Sequence, residues 1–290
     1  MSNLSSPNPP TGPLSVGNIV SAGLRIYRDR FKTYYGLAFK AYLWLLVPIY
    51  GWAKFAAISG QISRLAYNEV REQPETVKDA EHHVMRKMWG FFLAGILTSL
   101  IIFGIFCLGF IILGIIFGVA IAAIGGINSQ PSVSSIIIVS VISIVVILLF
   151  FLGYIWVYSR FSIVELPIAV EENISATSAI GRSWNLTKGF VPRLVGVFTV
   201  AFLITLPISI VIQIATTILQ LALTPLVDPN SPNPNSGLFL FLFYLIFVLI
   251  TFVSGALLIP FWQTVKAVLY YDLRTRKEGL GLQMPERGSF

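Results

Sequence analysis

Two long stretches of this 290-residue chain carry almost no charge, and they restrict the possible folds more than any other feature. Between Lys87 and Arg160 lie 72 residues without Asp, Glu, Lys or Arg, and the 72 residues from Leu194 to Val265 contain only Asp228. About 20 apolar residues are enough to cross a bilayer as a helix. A water-soluble fold could not cover so much apolar chain, so the sequence predicts an all-α integral membrane protein that crosses the bilayer several times.

Composition agrees with a membrane domain and restricts the partners. Hydrophobic residues make up 56% of the chain and charged residues 11%, whereas about a quarter of an average globular chain is charged. The net charge is +7, but the basic residues flank apolar runs, so we expect them to meet anionic lipid headgroups and not nucleic acid. We predict one membrane domain over 14–279, between a disordered tail at 1–13 without signal-peptide features and a short tail at 280–290.

The basic residues define the orientation. Seventeen of the twenty lie in the segments 14–33, 59–89 and 159–193 and at the C-terminal end. The connections 125–134 and 226–236 contain none. The positive-inside rule therefore predicts that the four basic segments and both termini lie in the cytoplasm, with the chain in a bacterial plasma membrane.

The number of embedded helices follows from the apolar runs. Both flanks of 34–70 are basic, so this stretch must cross an even number of times. We predict a hairpin that turns near Pro48–Trp52 and returns through 52–70; a re-entrant or interfacial helix with the same end points is the alternative. The prediction is six embedded helices in three hairpins. The strongly apolar runs lie at about 34–50, 90–124, 135–158, 194–225 and 237–271.

Several of these runs are longer than a bilayer needs. A single helix over 90–124 would be about 52 Å long, against a hydrocarbon core of roughly 30 Å. The excess must lie along the interface, project into water or be broken. Proline removes an internal hydrogen bond, so Pro207 and Pro260 are predicted kinks. Gly114 and Gly118 have the GxxxG spacing that allows two helices to pack closely.

A short amphipathic segment precedes each predicted hairpin, at 16–32, 74–89 and 175–189. Apolar residues recur in them at three- and four-residue steps, Ser175 suits an N-cap, and Gly189 suits the position after a helix end. We expect these helices in the headgroup layer. The favoured role for them is only to steer insertion and register each hairpin, since such segments are common in membrane proteins of every function. The candidate lipid-contact residues here and near the C-terminus are Arg25, Arg28, Arg86, Trp89, Arg182, Trp184, Lys188, Arg274, Arg276 and Lys277.

Few side chains favour catalysis or metal binding. His82 and His83 are the two histidines, and adjacent helical residues point about 100° apart, which makes a poor joint metal site. Glu165 and Glu171 are expected to cap helices or stay solvated, and Asp272 to form weak surface ion pairs. P-loop, nucleophile-elbow and zinc-ligand patterns are missing from the sequence. We therefore expect no enzyme activity, cofactor or metal site.

Three lysines lie within the predicted spans, and a coupled transporter would need charged partners for them. Lys40 and Lys266 lie near span ends, so we expect them to reach the interface, and Lys54 must face protein or do the same. None of the three has an obvious carboxylate on a neighbouring span. A buried acid near the middle of the membrane, which proton or sodium coupling usually uses, is not evident.

Three sequence segments together resemble a known family. They are LSVGNIVSAGLRIYRDRF at 14–31, GRSWNLTKGF at 181–190, and Pro260 followed by YYDLRTRKEG at 270–279. The chain resembles a bacterial multi-pass family named after the membrane domain of glycerophosphoryl diester phosphodiesterases, related to the YciC-like membrane proteins. The resemblance implies a six-helix membrane fold but no activity, because those phosphodiesterases carry their catalytic residues on a separate barrel. Members often have an acid where this chain has Gly281.

The sequence favours a non-catalytic integral membrane protein that serves as a structural or interaction subunit of an envelope assembly, in one variant associated with a channel. Its expected partners are anionic membrane lipids and other membrane proteins or further copies of itself. A second hypothesis is a transporter or channel for a small or lipid-like solute, with Lys40, Lys54 and Gln213 along its path. The third and least favoured is a membrane lipid hydrolase. The residues available to it are Glu165, Glu171, Asp272 and His82.

Overall fold

The computed structural model describes residues 14–123, 132–227 and 236–279, and all regular structure in them is α-helical. The predicted tails, and most of the two connections without basic residues, lie outside the described residues. The helices in chain order are α1 (Val16–Asp29), α2 (Phe31–Trp44), α3 (Tyr50–Val70), α4 (Val77–Met85), α5 (Met88–Ala123), α6 (Val133–Phe161), α7 (Glu165–Val170), α8 (Ala176–Thr187), α9 (Val191–Val227) and α10 (Ser236–Glu278).

The three predicted amphipathic segments are helices, and each precedes a helical pair. They form α1, α4 and α8. The Ser175 hydroxyl accepts a hydrogen bond from the Ser178 N–H, which confirms the predicted N-cap of α8, and Thr76 caps α4 in the same way. Gly189 follows α8 with φ +87°, a conformation that favours glycine. Local sequence signals therefore determine where these short helices begin and end.

Within the described ranges, four helices are long and apolar enough to cross a membrane: α5, α6, α9 and α10. The longest, α10, has 43 residues and a length of about 65 Å, and it continues through Pro260, as α9 continues through Pro207. Close to Pro260 the Tyr27 hydroxyl donates a hydrogen bond to the Leu257 carbonyl at 2.8 Å, in a turn where proline removes a backbone donor. Neither proline ends its helix.

The 34–70 stretch is a helical hairpin, but its two helices differ from the other long ones. α2 has 14 residues, about 21 Å, which is too short to cross a bilayer of roughly 30 Å. α3 has 21 residues and also falls outside the group of candidate spans. The turn contains Ile49 at φ 62°, and its exposed apolar side chains include Leu46 and Trp52. The count of six membrane-crossing helices is therefore not supported by length and composition, which give four.

The molecule has two parts, one packed and one exposed. The base comprises α1–α4, α7, α8 and the adjoining ends of α5, α6, α9 and α10. Its core buries side chains such as Ile19, Tyr34, Ile62, Leu194 and Leu269. Beyond the base, α5, α6, α9 and α10 continue as exposed, apolar helices. These exposed parts are called the apolar ends. The stretch from Phe202 to Leu221 on α9, for example, is about 30 Å long, which matches a hydrocarbon core.

Glycine packing on α5 occurs at a different position from the predicted one. A Cβ atom at Gly109 would clash with the Phe150 ring of α6. At Gly114 and Gly118 a Cβ would meet no described atom within 4 Å. Residues 109 and 114 differ by about 140° around a helix, so the GxxxG face points away from α6. Within the described chain, this face packs against nothing.

Candidate functional site

A buried ion pair links α10 to the start of α7 where the base meets the apolar ends. Lys266 Nζ donates to Glu165 Oε1 at 2.7 Å, and both side chains are largely buried. The expectation that Lys266 has no carboxylate partner is therefore wrong. Lys40 also has a partner, since its Nζ lies 3.0 Å from Glu81 Oε1 on α4. Lys54 instead lies 3.8 Å from the centroid of the Trp44 ring, a cation–π contact.

Two cavities lie on either side of Lys266. One, of about 500 Å³, lies between α6, α9 and α10, and the other, of about 360 Å³, lies between α3, α5, α6 and α10. Tyr158, Ser162 and Lys266 line both. Each is within the range of small-molecule sites and has mostly apolar walls with a few polar groups. The region around Lys266 is thus an amphipathic space between the long helices.

Two residues in the wall of the smaller cavity have buried hydroxyl groups without protein partners. Ser59 on α3 is only 7% exposed, and its Oγ has no hydrogen-bond partner among the described residues. The buried Oγ1 of Thr98 on α5 is unpaired in the same way. Gln263 also lines this cavity, and its Oε1 accepts a hydrogen bond from Ser63 at 2.9 Å. Buried polar groups are nearly always hydrogen-bonded, so these two hydroxyls, which are closed off from the cavity itself, are exceptions.

A second polar cluster joins α7, α8 and α10 inside the base. Glu171 accepts from Arg182 at 3.0 Å and from the Tyr270 hydroxyl at 2.8 Å. Arg182 also pairs with Glu278, which accepts from Arg274 at 2.8 Å. The carboxylates alternate with cations, so each charge is compensated. These residues therefore hold α7, α8 and α10 together.

Asp272 is the most deeply buried carboxylate in the base. It is 1% exposed, and its side chain lies 2.9 Å from both the Arg193 and the Arg276 guanidinium groups. Its other oxygen accepts from the Leu14 backbone N–H at 2.9 Å. The prediction of a weak surface ion pair for Asp272 is therefore wrong. The carboxylate connects the start of the described chain to α9 and α10.

The candidate lipid-contact residues fall into two groups. Arg182, Arg274 and Arg276 pair with carboxylates, Lys277 donates to the Asn185 carbonyl, and Trp184 packs on Trp156 and Phe161. These five stabilise the base from within. The other five remain exposed and available to lipid headgroups. They are Arg25, Arg28, Arg86, Trp89 and Lys188.

Arg160 is a functional candidate that the sequence pattern did not indicate. It is 3% exposed, and its guanidinium lies 4.1 Å from the centroid of the Trp184 ring. It also donates to Thr187 Oγ1 at 3.4 Å, while its Nε has no described partner. An aromatic face stabilises a buried cation most strongly where water is excluded. Trp184 thus serves as the partner of Arg160, a role that the helical periodicity alone does not reveal.

The two histidines occupy different environments. His82 is exposed, whereas His83 is partly buried and accepts a hydrogen bond from Lys87 Nζ at 3.0 Å through Nε2. Burial, together with the nearby Arg64 and Lys87 cations, lowers the pKa of His83 to about 4. The described residues contain no group of three or more His, Cys, Asp or Glu that could hold a metal ion. His83 is therefore a neutral acceptor in the base at neutral pH.

Acidification is expected to destabilise the protein through His83. Its pKa lies below its ordinary value of 6.5, so the unfolded chain binds the proton more readily and stability falls as the pH drops from about 6.5 towards 4. Because the ring is partly exposed, we expect a loss of about 1 kcal/mol. Thermal unfolding in detergent between pH 7 and pH 5 measures it. His83→Gln should reduce the pH dependence and His82→Gln should not; equal profiles for the two variants would contradict this role.

Fold and site together define a class: an all-α membrane protein with four potential membrane-crossing helices on a charge-paired base. The chain belongs to the family described as a domain of unknown function, DUF7847, whose model matches residues 75–273. That range extends from two residues before α4 into α10. It includes every residue that lines the cavity between α6, α9 and α10, but not the α3 residues that line the smaller cavity. Comparison with curated proteins gives no match, and comparison with solved structures gives none. The resemblance to the phosphodiesterase membrane-domain family remains a prediction.

Proposed function

We propose that this protein is a non-catalytic integral membrane subunit that works by interaction within a larger envelope assembly. One observation supports this most strongly: carboxylates at the helix junctions of the base are paired with cations, while four helices expose long apolar surfaces. Glu165, Glu171 and Asp272 each contact a cation, so the carboxylates that a lipid hydrolase would use are occupied. What the molecule offers to others is its apolar helices and exposed basic side chains.

The proposed setting is a bacterial plasma membrane with the base on the cytoplasmic side. The direct contact between Leu14 and Asp272 supports the two ends of the described chain being on one side of the membrane. The exposed basic residues Arg25, Arg86 and Lys188 lie on base helices or beside them, as positive-inside orientation requires. In this arrangement four helices cross the bilayer. The α2–α3 hairpin enters it only with its apolar tip, which gives six embedded helices.

The GxxxG face of α5 is the proposed contact surface for a second copy or another membrane helix. Small residues allow close backbone approach between helices in lipid. Gly114→Leu combined with Gly118→Leu is expected to lower cross-linked dimer in native membranes severalfold, because the added side chains separate the backbones. Gly153→Leu is the matched control, since a Cβ at that exposed α6 glycine also meets no described atom within 4 Å. An unchanged dimer yield in the double variant would contradict the proposed face.

Affinity isolation tests the interaction role more broadly. Protein captured from native membranes in a mild detergent should bring defined membrane proteins with it in constant proportion. The Gly114→Leu, Gly118→Leu variant should lose them if the same face binds them. Recovery of a lone chain, without partner or self-association, would refute the subunit proposal.

A transporter or channel for a small or lipid-like solute is the second candidate, and the paired cavities beside Lys266 favour it. Both lie between helices that cross the proposed bilayer, and both have polar groups among apolar walls. Flux measured in reconstituted liposomes tests this function. No flux for ions, amino acids or lipids would exclude it while leaving the subunit proposal intact.

A further inference from the structure

We propose that the 360 Å³ cavity between α3, α5, α6 and α10 binds the headgroup of one phosphodiester lipid, with its acyl chain in the adjoining groove on α5. The wall of this headgroup cavity contains the ion pair of Glu165 and Lys266, together with the polar side chains of Tyr158, Ser162 and Gln263. This inference goes beyond the proposed subunit role. It applies both to a subunit that retains the lipid and to a transporter that moves it.

The position of the cavity suits a lipid headgroup. Apolar exposure on α6 ends at Tyr158, which lines the cavity, and on α10 it ends at Val253, shortly before Ile259 and Gln263 in the cavity wall. The headgroup cavity therefore lies where the apolar ends meet the polar base. At that level a bilayer passes from hydrocarbon to headgroups.

A further cavity, which is strongly apolar, continues from the headgroup cavity along α5. It has a volume of about 500 Å³ and shares Ala56, Phe91, Gly95 and Ser99 with the headgroup cavity. Its remaining wall includes Leu100 and Phe103 of the exposed apolar part of α5, together with Phe92 and Ile96. A polar compartment that opens into an apolar groove matches an amphiphile and not a free, fully polar solute.

The polar groups of the headgroup cavity favour an anionic acceptor. The Lys266 ammonium has three protons, of which Glu165 accepts one, so its other protons can be donated to a ligand in the cavity. Phosphate oxygens accept such hydrogen bonds. Because Glu165 partly neutralises Lys266, the site favours the single charge of a phosphodiester over the double charge of a phosphomonoester.

Gly95 gives an independent steric test. It lines both cavities, and a Cβ there meets no described atom within 4 Å, so Gly95→Leu should fill the passage without disturbing the fold. Gly104→Leu is the matched control, because that glycine lies on the same helix outside both cavities and is equally unhindered.

The experiment uses the full chain, delipidated in detergent and titrated with phosphatidylglycerol, with native mass spectrometry to count bound lipids. The wild type and Gly104→Leu should bind one lipid saturably, and Gly95→Leu should bind at least fivefold more weakly. Inorganic phosphate and glycerol 3-phosphate are the comparison ligands and should bind far more weakly. Equal binding of free phosphate, equal lipid binding by Gly95→Leu, or no saturable binding would each overturn the proposal.

Discussion

Asp272→Asn is expected to lower the free energy of unfolding by about 3 to 5 kcal/mol, the cost of removing one partner of a buried ion pair. The carboxylate is 1% exposed and compensates two guanidinium groups, Arg193 and Arg276, which are themselves largely buried. Asparagine keeps the volume but removes the charge, and its amide N–H groups face other donors. Thermal unfolding in detergent, followed by tryptophan fluorescence, measures the loss.

The matched control for Asp272 is Asp29→Asn. Asp29 pairs with Arg28 at 3.5 Å, but both side chains are more than half exposed, so its loss should cost less than about 0.5 kcal/mol. Asp272→Asn should also speed hydrogen exchange around Leu14, because the Leu14 N–H donates to this carboxylate. Equal stability of the two variants, with unchanged exchange at Leu14, would show that Asp272 does not hold the chain start against α9 and α10.

Local sequence signals account for the helices that could be predicted. Helical periodicity, together with a capping residue such as Ser175, depends only on neighbours a few positions away, so α1, α4 and α8 follow from the sequence. The apolar runs of α5, α6, α9 and α10 are equally visible. The short helix α7 was not predicted, because six residues around Pro167 give too little periodicity to distinguish a helix from a loop.

The charge pairs could not be predicted, because they depend on which helices become neighbours. Lys266 and Glu165 are 101 residues apart and meet only when α10 packs beside the start of α7. The two cavities have the same origin, since helices distant in sequence supply their walls. The prediction for Asp272 was wrong for a related reason. Alternating charge at a helix end is typical of a solvated surface, but α9 and the start of the described chain cover the Asp272 carboxylate.

The α2–α3 hairpin shows how the positive-inside rule combines with the helix length that a bilayer crossing requires. Basic flanks on both sides of 34–70 require the chain to return to the side where it entered. They do not require it to reach the far side, and α2 is too short to do so. A re-entrant hairpin satisfies both rules, with the aromatic residues Trp44, Tyr50 and Trp52 close to its tip.

Gly23→Ala is expected to destabilise the protein by about 2 kcal/mol, through overpacking between α1 and α10. A Cβ atom at Gly23 would lie 2.9 Å from both the backbone N and the Cα of Val265, closer than real Cβ contacts allow. Backbone atoms of a long helix cannot move aside as a flexible side chain can, so α1 must shift away from α10. Thermal unfolding in detergent measures the change.

Gly17→Ala is the matched control for this contact. It lies on the same helix, and a Cβ there would meet no described atom within 4 Å. Alanine favours the helix over glycine by up to about 1 kcal/mol, so Gly17→Ala should leave stability unchanged or raise it. The two substitutions are chemically identical and differ only in what the new methyl group meets. If the Gly23→Ala protein is as stable as the Gly17→Ala protein, the close packing of α1 against α10 at Val265 is wrong.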